Sequence, residues 1–208
     1  MSTPTLAAAT AAVTAAGKAD RREFVARLLR HLPEDALVVT GLGSSSYDVF
    51  AAGDRDGNYY LWGAMGGAAA LGLGLALAQP DRPVVVVTGD GEQLMGIGCL
   101  ATIAAKQPRN MTIVVLDNGH YGETGMQRSH TSLGADLVAV AKGFGIADAF
   151  SVASADRCAE IADRARARKA PAFVQVLIDA AEPPRALPPR DGAFVKNRFR
   201  AALGFKPF

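Results

Sequence analysis

Two cysteines in 208 residues, Cys99 and Cys158, are too few for a disulfide framework, an iron–sulfur cluster or a Cys-rich zinc site. They are expected to be buried thiols in a reducing, cytoplasmic setting. Charge of one sign is equally scarce. Lys and Arg number 22 against 20 Asp and Glu, a formal net charge of +2, too even for the basic footprint of a nucleic-acid or anionic-membrane binder. Small molecules and other proteins remain as partners. The Ala/Thr-rich segment 1–17 has no basic region ahead of an apolar core, so it fails as a signal peptide and is expected to be a flexible leader. A membrane span is missing as well. The stretch Gly57–Pro80 carries no charge, but Gly63, Gly66, Gly67, Gly72 and Gly74 make it weakly apolar, and it runs into a Val-rich strand pattern. Its small residues suit close packing of backbone against a neighbour or ligand.

What is present is half hydrophobic and long enough for one compact domain with its own core. Short, continuously apolar runs at Ala36–Thr40, Val84–Thr88, Thr112–Leu116 and Phe173–Ile178 predict parallel strands buried on both faces. Between them, Lys18–Leu32, Gly66–Gln79, Leu94–Lys106, Asp136–Phe144 and Ala155–Arg168 have helical length or patterning. The alternation predicts an α/β fold: a doubly wound, mainly parallel sheet with helices on both faces, spanning 18–181. Residues 182–208 are expected to form a Pro-rich linker and a basic, aromatic tail that packs back on the domain or on a partner. Open sheets of this kind bind ligands beyond the strand C-termini, so function belongs after Thr40, Thr88 and Leu116.

After the first strand comes Gly41-Leu42-Gly43-Ser44-Ser45-Ser46, a Gly/Ser turn that could face an anion with amides and hydroxyls. It lacks the third glycine of a dinucleotide fingerprint and the Gly-Lys-Ser/Thr of a P-loop. By itself it reads equally well as an ordinary capped turn. The second strand ends in Gly89-Asp90-Gly91, the third in Asp117-Asn118-Gly119-His120-Tyr121-Gly122. A carboxylate and an amide oxygen at adjacent strand ends are hard ligands that suit Mg²⁺, a metal that completes its shell with water and phosphate oxygens.

The pairing of Gly89-Asp90-Gly91 with Asp117-Asn118 resembles the signature of thiamine diphosphate-dependent enzymes, and Gly63-Ala64-Met65-Gly66-Gly67-Ala68 resembles their aminopyrimidine-binding segment. Leu100-Ala101-Thr102-Ile103-Ala104-Ala105, Tyr121-Gly122-Glu123-Thr124-Gly125 and Phe199-Arg200-Ala201-Ala202-Leu203-Gly204 are similar to the sulfopyruvate and phosphonopyruvate decarboxylases within that family. The resemblance implies the diphosphate-binding domain of the family, with thiamine diphosphate and Mg²⁺ as cofactors. It assigns the metal to the side chains of Asp90 and Asn118 and the backbone carbonyl of His120. Gly41, Gly43, Ser44, Gly89, Gly91, Glu92, Tyr121 and Gly122 would surround the diphosphate, with the Gly63 carbonyl and the Met65 side chain at the ring. Glu92 departs from the serine common at its position. It is expected to turn from the diphosphate, toward a basic group or a partner, or else to cap the following helix.

The resemblance also implies that the glutamate activating the cofactor lies in a separate pyrimidine-binding domain, for which 208 residues leave no room. The expectation is half of a hetero-oligomeric enzyme, completed by an alpha subunit that supplies that glutamate. Exposed apolar surface at Tyr59–Trp62 and Phe194–Phe208 would suit the contact, although core packing explains either segment equally well. The implied reaction converts a small anionic 2-oxo acid to an aldehyde and carbon dioxide. Tyr121, Glu123, Thr124, Gln127, Arg128 and His130 are candidates for substrate contact or proton transfer, with Arg128 suited to pair with a substrate oxyanion. Two other readings stand beside this one: a carboligase subunit of the acetohydroxyacid synthase type, and a non-catalytic nucleotide- or anion-binding module.

Overall fold

The computed structural model describes residues 17–206, so the expected leader lies outside the described residues except for Gly17. Asp20 starts the first helix, α1 (Arg21–His31), its carboxylate accepting from the Glu23 amide at 2.7 Å. Then follow β1 (Leu37–Thr40), α2 (Ser44–Ala51), β2 (Asn58–Tyr60), α3 (Ala68–Ala78), β3 (Val84–Gly89), α4 (Asp90–Met95), α5 (Cys99–Lys106) and β4 (Met111–Asp117). A small antiparallel ribbon of β5 (His120–Tyr121) and β6 (Gln127–Arg128) precedes α6 (Leu137–Phe144), β7 (Asp148–Val152), α7 (Cys158–Ala167), β8 (Ala172–Leu177) and α8 (Gly192–Ala202).

Six strands form one parallel sheet in the order β2-β1-β3-β4-β8-β7. Val38 pairs with Val85, Val85 with Thr112 and Val114 with Val174, so the apolar runs lie side by side at the sheet's centre. Alternation along each strand then builds two cores. On one face Val38, Val85, Val87, Val114 and Val174 pack with Phe24, Leu28 and Ile161 of α1 and α7. On the other, Val39, Val86, Ile113, Val115 and Phe173 pack with Leu73, Leu100, Ile103 and Leu137 of α3, α5 and α6. Each fully buried aliphatic of this kind is worth ~1.5–3 kcal/mol, so the sheet is stabilised from both sides. The expected α/β architecture is therefore observed.

Several boundaries differ. The helix expected from Gly66 begins at Ala68, because Gly66 has φ +95°, outside the helical region. The helix expected over Leu94–Lys106 is two helices, parted at Gly96, where the chain passes so close to the Gly66 carbonyl that a Cβ would lie 2.1 Å from its oxygen. The strands β2 and β7 at the sheet's edges were not expected. The tail packs on the domain: Phe199 meets Tyr59 edge to face at 5.4 Å, and Arg198 binds Asp54 and the Asn58 carbonyl, so α8 shields the edge at β2. This corrects the expected open apolar surface at Tyr59–Trp62. Tyr60 is buried, and the Trp62 indole N–H donates to the Pro189 carbonyl at 2.9 Å. Phe194 and Phe205 remain exposed. Among the described residues no helix is long and apolar enough to cross a membrane.

Candidate functional site

A cleft of about 150 Å³ opens at the C-terminal edge of the sheet, beyond β1, β3, β4 and β8. Crossover connections put every strand end on this side, which is why three separate sequence motifs meet here. From β3 come Gly89, Asp90, Gly91 and Glu92; from the end of β4 come Asn118, His120, Tyr121, Gly122, Glu123 and Thr124; from the turn after β1 come Leu42, Ser44 and Ser45; Met65 stands at the rim.

Asp90 is the first residue of α4 and 1% exposed. Its Oδ2 accepts from the Ser129 hydroxyl and from Thr131 Oγ1 at 3.0 Å, and Thr131 Oγ1 also lies 2.8 Å from Asp117 Oδ1. One hydroxyl proton cannot serve both carboxylates at once. Burial, and next the charge of Asp117, push the Asp90 carboxyl up to about 6. Asp117 is braced further by the Gly119 amide at 2.9 Å and by Gln175 Nε2 at 2.6 Å. Asn118 Oδ1 accepts from the His120 amide at 2.9 Å and keeps a second lone pair, while the His120 ring donates from Nδ1 to the Asn118 carbonyl at 2.8 Å. A divalent cation fits this donor set. It would add positive charge beside two crowded carboxylates and find hard oxygen ligands in Asp90, Asn118 and the His120 carbonyl, with no role for the imidazole.

Facing these ligands is the N-terminus of α2, where Gly43 supplies no side-chain cap and Ser45 Oγ is buried without a hydrogen-bond partner. Such a helix start suits an anion. A Cβ on Gly89 would only reach van der Waals contact, 4.0 Å from the Leu116 carbonyl oxygen, whereas Gly91 is pressed against the Tyr121 ring, 2.3 Å from the place of a Cβ. A diphosphate held by metal, amides and hydroxyls therefore fits the residues present.

Within this chain Glu92 takes neither of its two expected roles. Among the described residues its carboxylate finds no basic group, and it does not cap its own helix: Oε2 accepts from the Leu42 amide at 2.9 Å and Oε1 from the Gly66 amide at 3.4 Å. Burial raises its pKa, and these bonds pull the other way. Glu92 thus ties the turn after β1 and the loop before α3 to α4. Gly41 leaves room for it, since a Cβ there would collide with Oε2.

Other candidates separate. Tyr121, Glu123 and Thr124 line the cleft; Gln127, Arg128 and His130 are exposed and outside its lining. Arg128 Nε donates to Ser132 Oγ at 3.1 Å instead of facing the cleft. Gly41, Gly43 and Gly63 lie outside the cleft lining; Gly43 and Gly63 turn the backbone, with φ +72° and +73°. Sequence reasoning missed Ser129 and Thr131 as supports of Asp90. It also missed Arg21 and Asp48, which line the cleft from α1 and α2. Ser129 and Thr131 sat at the end of the polar loop already suspected; nothing in the sequence ties Arg21 to a strand end.

Residues 46–176 match the family model described as thiamine pyrophosphate enzyme, C-terminal TPP binding domain. Among curated relatives, phosphonopyruvate decarboxylase of Streptomyces viridochromogenes is 41% identical over 92% of this chain and 48% of its own length. Sulfopyruvate decarboxylase subunit beta of Methanocaldococcus jannaschii is 38% identical over 61% of this chain and 66% of its own. The chain thus spans about half the length of the first and about two thirds of the second. Among solved structures, the thiamine diphosphate-dependent 4-hydroxybenzoylformate decarboxylase of Rhodococcus jostii is similar with a TM-score of 0.66 at 25% identity, over 79% of this chain and 33% of that one. Strand-end motifs, cleft and family match agree: this chain belongs to the thiamine pyrophosphate enzymes and carries their C-terminal TPP-binding domain.

Proposed function

We propose that the chain is the diphosphate-binding subunit of a thiamine diphosphate- and Mg²⁺-dependent decarboxylase acting on a small 2-oxo acid with a second anionic group, sulfopyruvate or phosphonopyruvate. The observation that carries this reading is the meeting of Asp90, Asn118 and the His120 loop with the Ser44–Ser45 helix start in one cleft. The names and identities of the two curated relatives support the substrate class. When bound, the cofactor supplies the nucleophilic carbon and the electron sink for decarboxylation. This chain's part is to hold and orient: Asp90 and Asn118 take the metal, Ser44 and Ser45 meet the phosphates, Glu92 fixes the walls, and Met65 supports the ring. The enclosed volume, about 150 Å³, is below the ~300–1,000 Å³ of ligand pockets, which favours a site completed by a second subunit. That subunit supplies the activating glutamate. With Arg128 turned to Ser132, it also supplies the cation for the substrate's second anion.

The test is carbon dioxide release by the chain co-expressed with its pyrimidine-domain partner, on sulfopyruvate, phosphonopyruvate, pyruvate and phenylpyruvate. A cation left unpaired by pyruvate should lower kcat/KM at least about a hundredfold. Equal turnover of pyruvate would refute the substrate class, acyloin outrunning aldehyde would refute the reaction, and full activity of the chain alone would refute the subunit arrangement.

A further inference from the structure

Four carboxylates line the cleft, those of Asp48, Asp90, Glu92 and Glu123, against one guanidinium in the lining, Arg21, among the described residues. Arg22 and Arg185 pair with Asp48 and Glu123 from outside the lining, which leaves Asp90 and Glu92 without an arginine among the described residues. A divalent metal at Asp90 offsets only part of that negative charge, so a multiply charged anion entering here needs a further cation. Arg21 is 5% exposed and opens α1, two residues after the bridge between Ala19 and Ile178 that places this helix start beside the end of β8. Its Nε forms an ion pair with Asp48 Oδ2 at 3.0 Å that is not a hydrogen bond, so both buried atoms are left without a hydrogen-bond partner. Arg22 already satisfies the other oxygen of Asp48, donating from Nε to Oδ1 at 2.8 Å. Two arginines on one carboxylate leave the trio with a net positive charge. The same cleft wall carries Ser45 Oγ, 3% exposed and also unpartnered.

We propose that Arg21 is a second cation for the cofactor's diphosphate, acting with Ser45 Oγ, while Asp48, neutralised by Arg22, holds the guanidinium at the cleft. The inference rests on the cofactor reading above and adds a residue that lies ahead of the first strand, outside the segment matched to the family. A planar, permanently charged fork suits phosphate oxygens, and a charged hydrogen-bond donor contributes more than the Ser45 hydroxyl beside it.

Calorimetric titration of the 208-residue chain with thiamine diphosphate in Mg²⁺ tests this, alongside thermal melting of each variant. Arg21→Gln should weaken binding about tenfold or more, the loss expected when a charge-assisted hydrogen bond is removed, and Arg21→Lys should fall between it and the wild type. The double variant Arg21→Gln/Asp48→Asn removes both buried charges of the pair and leaves the part-exposed Arg22 its bond to the Pro184 carbonyl, so it relieves the unpaired charge left by the single variant, and its melting curve shows that it is folded. It should bind as weakly as Arg21→Gln. Recovery of wild-type affinity in the double variant would show that Arg21 only neutralises Asp48 and would overturn the proposal, as would unchanged affinity in a folded Arg21→Gln. Absence of binding by the wild type would overturn the cofactor reading together with this one, which separates the two failures.

Discussion

Asp90 is a buried carboxyl whose charged form is costly to the folded protein. Its folded-state pKa of about 6 lies above the ordinary carboxylate value, so the folded chain holds that proton to higher pH than the unfolded chain. The contribution of Asp90 to stability should be fully present below about pH 4, be lost as pH rises to about 6, and level off beyond. Asp90→Asn should flatten most of that slope, leaving the contributions of Glu92 and Asp48, whose pKa values burial raises in the same direction. Melting curves at pH 7 should show the variant more stable by roughly 1–3 kcal/mol, with metal-dependent cofactor binding lost. A destabilised Asp90→Asn would mean that the site is already balanced without a cation. Asp90 and Asn118 were legible in sequence because ligands at strand ends follow directly from a Val run and a glycine turn. Ser129, Thr131, Arg21 and Asp48 were not, because their roles exist only once distant segments pack.

Strands β1, β3, β4 and β8 were read from sequence to within a residue or so, and these are the four central strands of the sheet. Covered on both faces, they show as unbroken apolar runs. The edge strands carry weaker signals: β2 is three residues long, and β7 opens on Asp148, which pairs with Arg164 at 3.0 Å. The glycine-rich helix α3 was recognised as closely packed, and its glycines differ in why they are there. A Cβ on Gly72 would sit 2.3 Å from Val86 Cγ2 in the core, whereas Gly74 has open space around it. Gly72→Ala should therefore destabilise the fold by about 1–3 kcal/mol through overpacking. Gly74→Ala should stabilise it by about 0.5–1 kcal/mol by restricting the unfolded chain and favouring the helix. Chemical denaturation of the two variants reads both signs; stabilisation by both would mean that α3 does not press on β3 as observed.

The whole molecule places one functional edge opposite well-filled faces. The C-terminal helix shields β2, the Pro-rich segment ahead of it runs past the cleft with Arg185 3.3 Å from Glu123, and the C-terminal strand ends remain open. Residues from α1, the turn after β1, the loop before α3, α4 and the loop after β4 enclose only part of a pocket; in the proposed reading, anchoring the diphosphate falls to this chain and activating the ring to a partner. The anchoring step can be measured alone. Titration of the wild-type chain with thiamine diphosphate should show one binding event per chain in the presence of Mg²⁺, abolished by a chelator and by Asp90→Asn. Binding of equal affinity in chelator, or in the folded Asp90→Asn protein, would contradict the metal-held diphosphate at the strand ends.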